Sequence, residues 1–176
     1  MRSVSWVVLS YPAFAWAQPP GLVPSEPSSA DYLQVGVVAG TVVAHSTDTA
    51  RWFAGGVTVT RAHGSGHAWF RGTITVAGLT DLNASTGTLI EGRAGAQISG
   101  CVRNGTVCGL ASLDLGLRHG QVNATYDHLD STTPVVIPQI ALDIGTGELR
   151  LRPALELAFG QDLSGGSLSL GAAYLW

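Results

Sequence analysis

The sequence predicts an all-β fold, an eight-stranded antiparallel up-and-down transmembrane β-barrel. Apolar and polar residues alternate with a period of two from Tyr32 to Trp176, and clusters of Gly, Asn, Asp, Ser and Thr interrupt the alternation. The alternating stretches run for about ten to fourteen residues, longer than most soluble strands and long enough to cross a bilayer at a tilt. Charged residues make up only 12% of the chain, about half the share usual in soluble domains.

The alternation and its interruptions define the strands in chain order. We expect them at about residues 31–44, 50–62, 67–79, 87–100, 107–119, 134–145, 148–160 and 166–176. The second and sixth connections, "HGSGH" and "GTG", are short, whereas the fifth, residues 120–133, is the longest. In an even-stranded barrel with both termini in the periplasm, the short turns then face the periplasm and the long loop faces outside, which is the usual asymmetry.

The N-terminal residues precede the predicted barrel and have the layout of a secretory signal peptide. Arg2 is followed by an uncharged, mostly apolar stretch, and Ala15-Trp16-Ala17 supplies a small-x-small cleavage pattern. Pro12 counts against the alternative, an uncleaved membrane anchor. We therefore expect a signal peptide at 1–17 that is cleaved after Ala17, a flexible Pro/Ser-rich leader at 18–31 and the barrel at 32–176.

The charged residues of the predicted strands share one face and are balanced in sign. Alternation alone does not separate a membrane barrel from a soluble sheet, because a soluble sheet also has one apolar face. An eight-stranded barrel, however, has an interior only just wide enough for side chains, and charges buried there need partners. The sequence therefore predicts an ion-pair network in the lumen formed by Arg71, Glu91, Arg93, Asp114, Asp143, Arg150, Arg152 and Glu156.

Aromatic and arginine side chains near the predicted strand ends indicate two membrane interfaces. Aromatic residues collect at the strand ends, and those that face outward would form interfacial girdles. Arg51 and Arg61 share the outward face of the second strand, on either side of an apolar stretch. Ten residues at about 3.3 Å each, tilted near 45°, frame a band of roughly 25 Å, so both arginines can reach lipid headgroups.

The last strand alternates apolar residues and ends in an aromatic residue, and the residues that carry this pattern are Leu168, Leu170, Ala172, Tyr174 and Trp176. The pattern resembles the C-terminal signature of Gram-negative outer-membrane β-barrel proteins, and the chain from about Tyr32 resembles their small OmpA/OmpX-type class. The resemblance implies a location in the bacterial outer membrane, contact with its lipid and lipopolysaccharide, and recognition of the last strand by the barrel-assembly machinery. No single subfamily matches, so the resemblance assigns no catalytic or binding residue.

Few residues outside the predicted network suggest chemistry. Cys101 and Cys108 bracket one turn of an exported protein, which predicts a disulfide rather than a redox or metal pair. His63 and His67 lie together without a further metal ligand nearby in the sequence, so we expect a polar turn and no metal site. His119, Asp127, His128 and Asp130, in or beside the long connection, offer groups for a cation or a sugar, although such loops are ordinarily solvated.

The predicted function is a structural or surface-interaction role, with a lumen that ion pairs close. The architecture is porin-like, but eight strands leave little room for a pore. The adjacent pair His45 and Ser46 points to opposite faces of a strand, so we expect no enzyme and no cofactor. A lipid-modifying outer-membrane enzyme and a soluble secreted β-barrel that binds a small ligand remain the alternatives. A net charge of −3 gives no reason to expect nucleic acid, and the oligomeric state stays open.

Overall fold

The computed structural model describes residues 29–45, 49–81, 85–102, 106–123 and 128–176. The predicted signal peptide, its cleavage site and nearly all of the predicted leader lie outside the described residues. Within the described part of the chain, no helix is long and apolar enough to cross a membrane. The strands are β1 (Ser29–His45), β2 (Thr49–Ser65), β3 (Ala68–Thr80), β4 (Thr86–Cys101), β5 (Val107–Asn123), β6 (His128–Ile144), β7 (Leu149–Gly160) and β8 (Leu163–Leu175).

The eight strands form one closed antiparallel barrel in which each strand pairs with its neighbours in sequence. Between β8 and β1, the backbone N–H of Trp176 donates to the Asp31 carbonyl at 3.0 Å, and the N–H of Asp31 donates to the Trp176 carbonyl at 3.1 Å. Closure leaves no strand edge unpaired, and the predicted fold class is confirmed. We call the end that holds Ser29 and Trp176 the terminal end, and the opposite end the loop end.

Side chains alternate between the lumen and the outer wall, as the period of two requires. The charged residues that the sequence places on one face point into the lumen, and Arg51 and Arg61 face outward. Over the middle of the barrel the outer wall is almost wholly apolar and exposed, and the lumen side is polar or charged. Large outward-facing residues of this apolar band include Val35, Val57, Phe70, Ile74, Ile90, Leu113, Leu115, Leu117, Ile140, Leu155, Leu157, Leu168 and Leu170.

The strands extend further than the alternation predicted, and the main correction concerns the connection between β5 and β6. The expected loop at 120–133 is mostly strand, because the ladder continues to the pair Asn123 and His128. Only residues 124–127 of this connection are not described. The outward-facing residues of this stretch are polar, so the hydrophobic pattern ends before the backbone pairing does. The result is a hairpin that extends beyond the apolar band at the loop end.

The turns at the terminal end are tight, as expected for the short connections. Gly66 connects β2 and β3 with φ at 59°, and Gly147 connects β6 and β7 with φ at 75°. Both angles lie in the left-handed region, which glycine enters without the steric penalty that a Cβ imposes. The shortness of these two connections therefore depends on glycine at these positions.

The ladder between β6 and β7 is interrupted where proline occurs. Pro138 lies opposite Leu157 and Pro153 lies opposite Leu142, and neither position carries a backbone pair. Proline has no N–H to donate, so each one removes a hydrogen bond from the wall. The interruption stays local, because pairing resumes between the two prolines at Ile140 and Leu155.

Candidate functional site: the sealed lumen

The centre of the lumen holds a network of three arginines and three carboxylates that joins β3, β4, β5 and β7. Arg93 donates to both oxygens of Glu156, at 2.8 Å from Nη1 and 2.7 Å from Nη2. The same guanidinium donates to Glu91 at 3.0 Å from Nη1, and its Nε lies 3.2 Å from a carboxylate oxygen of Asp114. All four side chains are buried. One guanidinium therefore holds three carboxylates from three strands.

Two further arginines complete this central network, which we define as Arg71, Glu91, Arg93, Asp114, Arg118 and Glu156. Arg71 chelates the fully buried Asp114, with Nε to Oδ1 at 3.0 Å and a second bond from Nη2 to Oδ2. Arg118 donates from Nε to Glu91 Oε2 at 2.8 Å. Two-pronged contacts of this kind fix the direction of both groups as well as their separation. Three charges of each sign are thus matched where water is excluded.

The side chain of Gln139 links the central network to β6. Gln139 donates from Nε2 to Glu156 Oε1 at 2.6 Å, and its Oε1 accepts from Arg71 Nη1 and from Ser112 Oγ. An amide can accept and donate at once, so it connects an arginine to a carboxylate without adding charge. β6 joins the network in this way through an uncharged residue.

Arg118 is the member of the central network that the sequence prediction missed, and three predicted members, Asp143, Arg150 and Arg152, lie nearer the terminal end. Arg118 has the same parity as the inward-facing Asp114 of its strand, but it lies near the expected strand end, outside the predicted set. Arg150 lies near the terminal end, with Nη1 at 3.9 Å from Cys108 Sγ. Among the described residues the lumen therefore holds five arginines and four carboxylates, not the predicted four of each.

A second cluster lines a cavity of about 190 Å³ at the terminal end. Arg152 donates to Asp143 Oδ2 at 3.0 Å and to Gln34 Oε1 at 3.2 Å, and its guanidinium carbon lies 4.1 Å from the Tyr32 ring centroid. The Tyr32 hydroxyl donates to Gln97 Oε1 at 3.0 Å. Asp143 and Arg152 were predicted together in the network, and they form their own pair here, separate from the central network.

The lumen at the loop end is closed by an apolar cluster, which the sequence analysis did not predict. Its buried members are Val42, Ala44, Trp52, Ala77, Leu79, Leu89, Val122 and Leu163. Between this apolar cluster and the central network, a cavity of only about 30 Å³ remains. The signal was present in the sequence, because Leu79 and Leu89 have the same parity as the inward-facing charged residues of their strands.

The predicted disulfide is confirmed. Cys101 and Cys108 face each other as the last pair of the β4–β5 ladder and are bonded. The bond closes the hairpin at the terminal end and borders the cavity that Arg152 lines. Both cysteines are in the bond, so no free thiol remains in the chain.

The five residues of the predicted assembly signal all face outward, four of them on β8 and Trp176 directly after it at the terminal end. Tyr174 and Trp176 stack with ring centroids 6.0 Å apart, and the Tyr174 hydroxyl donates to Glu148 Oε2 at 2.9 Å. Phe70 is exposed at the same end. Tyr32, Trp52 and Trp69, which also lie near strand ends, belong to the inward faces of their strands. Only some of the aromatic residues near the strand ends therefore face outward.

The histidines do not assemble a metal site in the part of the chain that is described. His63 Nδ1 lies 2.8 Å from Asp31 Oδ1, and His67 Nδ1 lies 3.0 Å from the Ser99 carbonyl oxygen, so the two rings have different partners. His119 Nδ1 contacts Thr132 Oγ1 at 3.0 Å. Asp127 and the side chain of His128 lie outside the described residues. Ser46, which follows His45, also lies outside the described residues. His45 itself contacts a different serine on the outer wall, with Nε2 at 2.7 Å from Ser164 Oγ.

Similarity to known proteins lies in the fold and not in the sequence. No family model matches the sequence, and neither does any curated protein. Neisserial surface protein A superposes with a TM-score of 0.67 at 14% identity, over 82% of this chain and 97% of its own. Ail of Yersinia pestis gives 0.62 at 11% identity, over 84% and 99%. The N-terminal β-barrel domain of Pseudomonas aeruginosa OprF gives 0.56 at 10% identity, over 86% and 99%.

These similarities and the geometry together define the fold class of the chain. It is a small eight-stranded β-barrel of the type found in outer-membrane proteins, with a sealed lumen and an apolar outer wall. At such low identities the comparisons establish the fold alone, so function rests on the described side chains.

Proposed function

We propose that this chain is a bacterial outer-membrane β-barrel protein with a structural or surface-interaction role. The observation that supports this most directly is the combination of an apolar outer wall with a charged, sealed lumen. A soluble protein rarely exposes a contiguous apolar surface of this extent, since it would associate or aggregate. In a bilayer the same band lies against acyl chains, and every inward-facing charge of the central network has a partner.

The orientation in this proposal follows the arrangement of the connections. The terminal end, with its tight turns and the disulfide, faces the periplasm, and the loop end faces the exterior. The last strand, with Tyr174 and Trp176 on its outer face, is the segment that the barrel-assembly machinery reads. Short periplasmic turns and longer outer loops are the rule in such barrels.

The surface for interaction is the loop end, where the β5–β6 hairpin extends beyond the apolar band. The hairpin is braced by Ser131, whose hydroxyl donates to Asp162 Oδ2 at 3.1 Å. Among the described residues of this end, Asp81, Asp130 and Asp162 outnumber Arg51. One structure of Ail holds sucrose octasulfate, a heparin analogue. The aspartates here disfavour such a polyanion, so the partner in this proposal is neutral or cationic at its contact surface.

The first test is gel mobility in SDS with and without heating, on protein refolded from Gln18 in detergent micelles. A closed membrane barrel resists unheated SDS and changes mobility on boiling, so we expect a clear shift. Planar-bilayer recording of the same sample should give no unitary conductance. A protein that stays soluble without detergent and shows no shift would overturn the membrane proposal. Regular conductance steps would overturn the sealed lumen while leaving the membrane location intact.

The contact between His45 and Ser164 favours a second candidate, a lipid-modifying enzyme. A serine and a histidine at 2.7 Å on the outer wall have the separation of a nucleophile and its base. No described side chain hydrogen-bonds His45 Nδ1 to orient the ring, which a catalytic histidine ordinarily requires. Phospholipid hydrolysis by refolded protein, compared with Ser164→Ala, decides between the two. Hydrolysis that Ser164→Ala abolishes would establish the enzyme.

A further inference from the structure

A groove of about 410 Å³ lies on the outer wall near the terminal end, between β2 and β3. It is lined by Asp31, Arg61, Ala62, His63, Phe70 and Gly72. Phe70 forms one side of it and is 65% exposed. The exposed surface of the groove is mostly apolar, and its ionisable residues are Asp31, Arg61 and His63.

Arg61 differs from the arginines of the central network. The central network pairs Arg71, Arg93 and Arg118, whereas the guanidinium of Arg61 has no hydrogen bond or ion pair within the described chain and faces outward. Its neighbours across the ladders are Leu33 on β1 and Gly72 on β3. A cation among apolar side chains at the edge of a bilayer is costly unless an anion or water meets it.

The aromatic residues near Arg61 indicate how deep it lies. Leu33 pairs with Arg61 on one side and with Tyr174 on the other, so Tyr174 and Arg61 are in the same row of the wall. Trp176 lies beside Asp31 in the next row toward the terminal end. Tyrosine and tryptophan concentrate at the headgroup level of membranes. In the proposed membrane location, we therefore expect Arg61 to lie near the headgroup level.

Gly72 keeps the groove open without being required by the packing of the barrel. A Cβ built at Gly72 would meet only the carbonyl oxygen of Arg93, at 3.9 Å, which is an ordinary contact. By contrast, a Cβ at Gly165 would lie 2.1 Å from the carbonyl oxygen of Thr41, so that glycine is imposed by the wall. A variant with a larger side chain at position 72 should therefore fold normally, and that side chain would fill the space next to Arg61.

Asp31 is the one carboxylate among the residues that line the groove, and it contacts His63. Its Oδ1 lies 2.8 Å from His63 Nδ1, which directs the carboxylate toward the imidazole. The histidine side chain is exposed. The pair leaves Arg61 as the group that determines which headgroup the groove accepts.

We propose that this groove binds an anionic glycerophospholipid of the leaflet at the terminal end. The phosphodiester accepts hydrogen bonds from the Arg61 guanidinium, and the glycerol and the first methylenes of an acyl chain lie over Gly72 against Phe70. The inference rests on the proposed membrane location and adds a defined lipid site to it. Charge complementarity selects the headgroup, and the apolar floor selects a lipid over free phosphate.

The test is a titration of the refolded barrel in micelles with phosphatidylglycerol, with the first bound lipid counted by native mass spectrometry. We expect Arg61→Gln to weaken this binding about fivefold, as one arginine at an anionic surface contributes. Gly72→Leu should weaken it as well, with the arginine still present. Arg51→Gln is the matched control, since Arg51 faces outward on the same strand at the loop end, and it should leave binding unchanged. Phosphatidylcholine of the same chains should bind more weakly than phosphatidylglycerol.

The heat-dependent mobility shift in SDS is recorded for every variant, which separates the lipid site from the fold. If Arg61→Gln or Gly72→Leu still shifts on boiling and binds phosphatidylglycerol as tightly as the unmutated protein, the site is overturned and the proposed function stands. Equal losses in the variants at Arg61 and Arg51 would also overturn it, because binding would then follow overall charge. Absence of the mobility shift in the unmutated protein would contradict the proposed function itself.

Discussion

Arg93 of β4 and Glu156 of β7 join opposite walls of the barrel by two hydrogen bonds of 2.8 and 2.7 Å. The two strands are not neighbours, so this contact crosses the lumen. Because Asp114 of β5 contacts both Arg93 and Arg71 of β3, the central network links four strands across the lumen. We expect the central network to close the interior as a solid plug. Removal of one partner would leave a buried charge unpaired, which is strongly destabilising.

Removing one carboxylate from the central network should destabilise the barrel strongly. Asp114→Asn keeps the size of the side chain but leaves three buried arginines facing two carboxylates. We expect a loss of about 3–5 kcal/mol in the free energy of unfolding, the range for breaking a buried pair. The measurement is urea unfolding in micelles, followed by tryptophan fluorescence.

Ser169→Ala is the matched control for this substitution. Ser169 is also buried in the lumen, but its hydroxyl has no hydrogen-bond partner among the described residues. We expect a change within about 0.5 kcal/mol. Equal stability of the Asp114→Asn variant and the unmutated protein would mean that the central network is solvated and does not seal the lumen.

In most strands the sequence was sufficient to predict which face is apolar, because a one-residue shift would expose every charge to lipid. It could not predict the strand ends. Around Gln121 and Asp130 the outward-facing residues are polar, so the apolar pattern of the outer wall stops while the backbone ladder continues. Whether a polar segment pairs as a strand depends on the neighbouring strand, and the local sequence pattern does not contain that information.

Local sequence patterns also could not predict which charged residues contact each other within the lumen. The inward position of Arg118 follows from parity, but its contact with Glu91 depends on the β4–β5 register that sets the two residues opposite each other. The position of Arg150 near the disulfide depends in turn on the β5–β6 and β6–β7 registers. Charge balance counted along the sequence cannot separate two clusters that differ only in depth.

Trp52 is the largest side chain of the apolar cluster at the loop end, and its removal tests whether the lumen has two seals. We expect Trp52→Ala to lower the free energy of unfolding by about 3–5 kcal/mol, the usual result of emptying a buried aromatic site. Conductance should nevertheless stay absent, because the central network still blocks the lumen. Phe53→Ala, on the outer face next to it, should cost less. Unitary conductance of Trp52→Ala in planar bilayers would mean that the apolar cluster alone closes the pore.

The disulfide should contribute moderately to stability. Cys101 and Cys108 close a short hairpin, for which the chain-entropy model gives about 2–3 kcal/mol. Unfolding of Cys101→Ser/Cys108→Ser should therefore match unfolding of the unmutated protein in reductant, with both less stable than the oxidised protein. If the oxidised and reduced proteins unfold at the same urea concentration, the bond does not constrain the unfolded chain.

Trp176 has two separable roles, one in closing the barrel and one in the proposed assembly signal. Its backbone exchanges hydrogen bonds with Asp31, and Trp176→Ala preserves both, while the exposed aromatic side chain is lost. We expect this variant to refold in micelles with a normal mobility shift, but to accumulate less folded barrel in cells, because we propose that the barrel-assembly machinery recognises the last strand there. Phe159→Ala, an exposed aromatic of the outer wall that does not belong to the last strand, is the control and should assemble normally. A defect in the micelles would assign Trp176 a structural role, and normal assembly in cells would contradict the proposed signal.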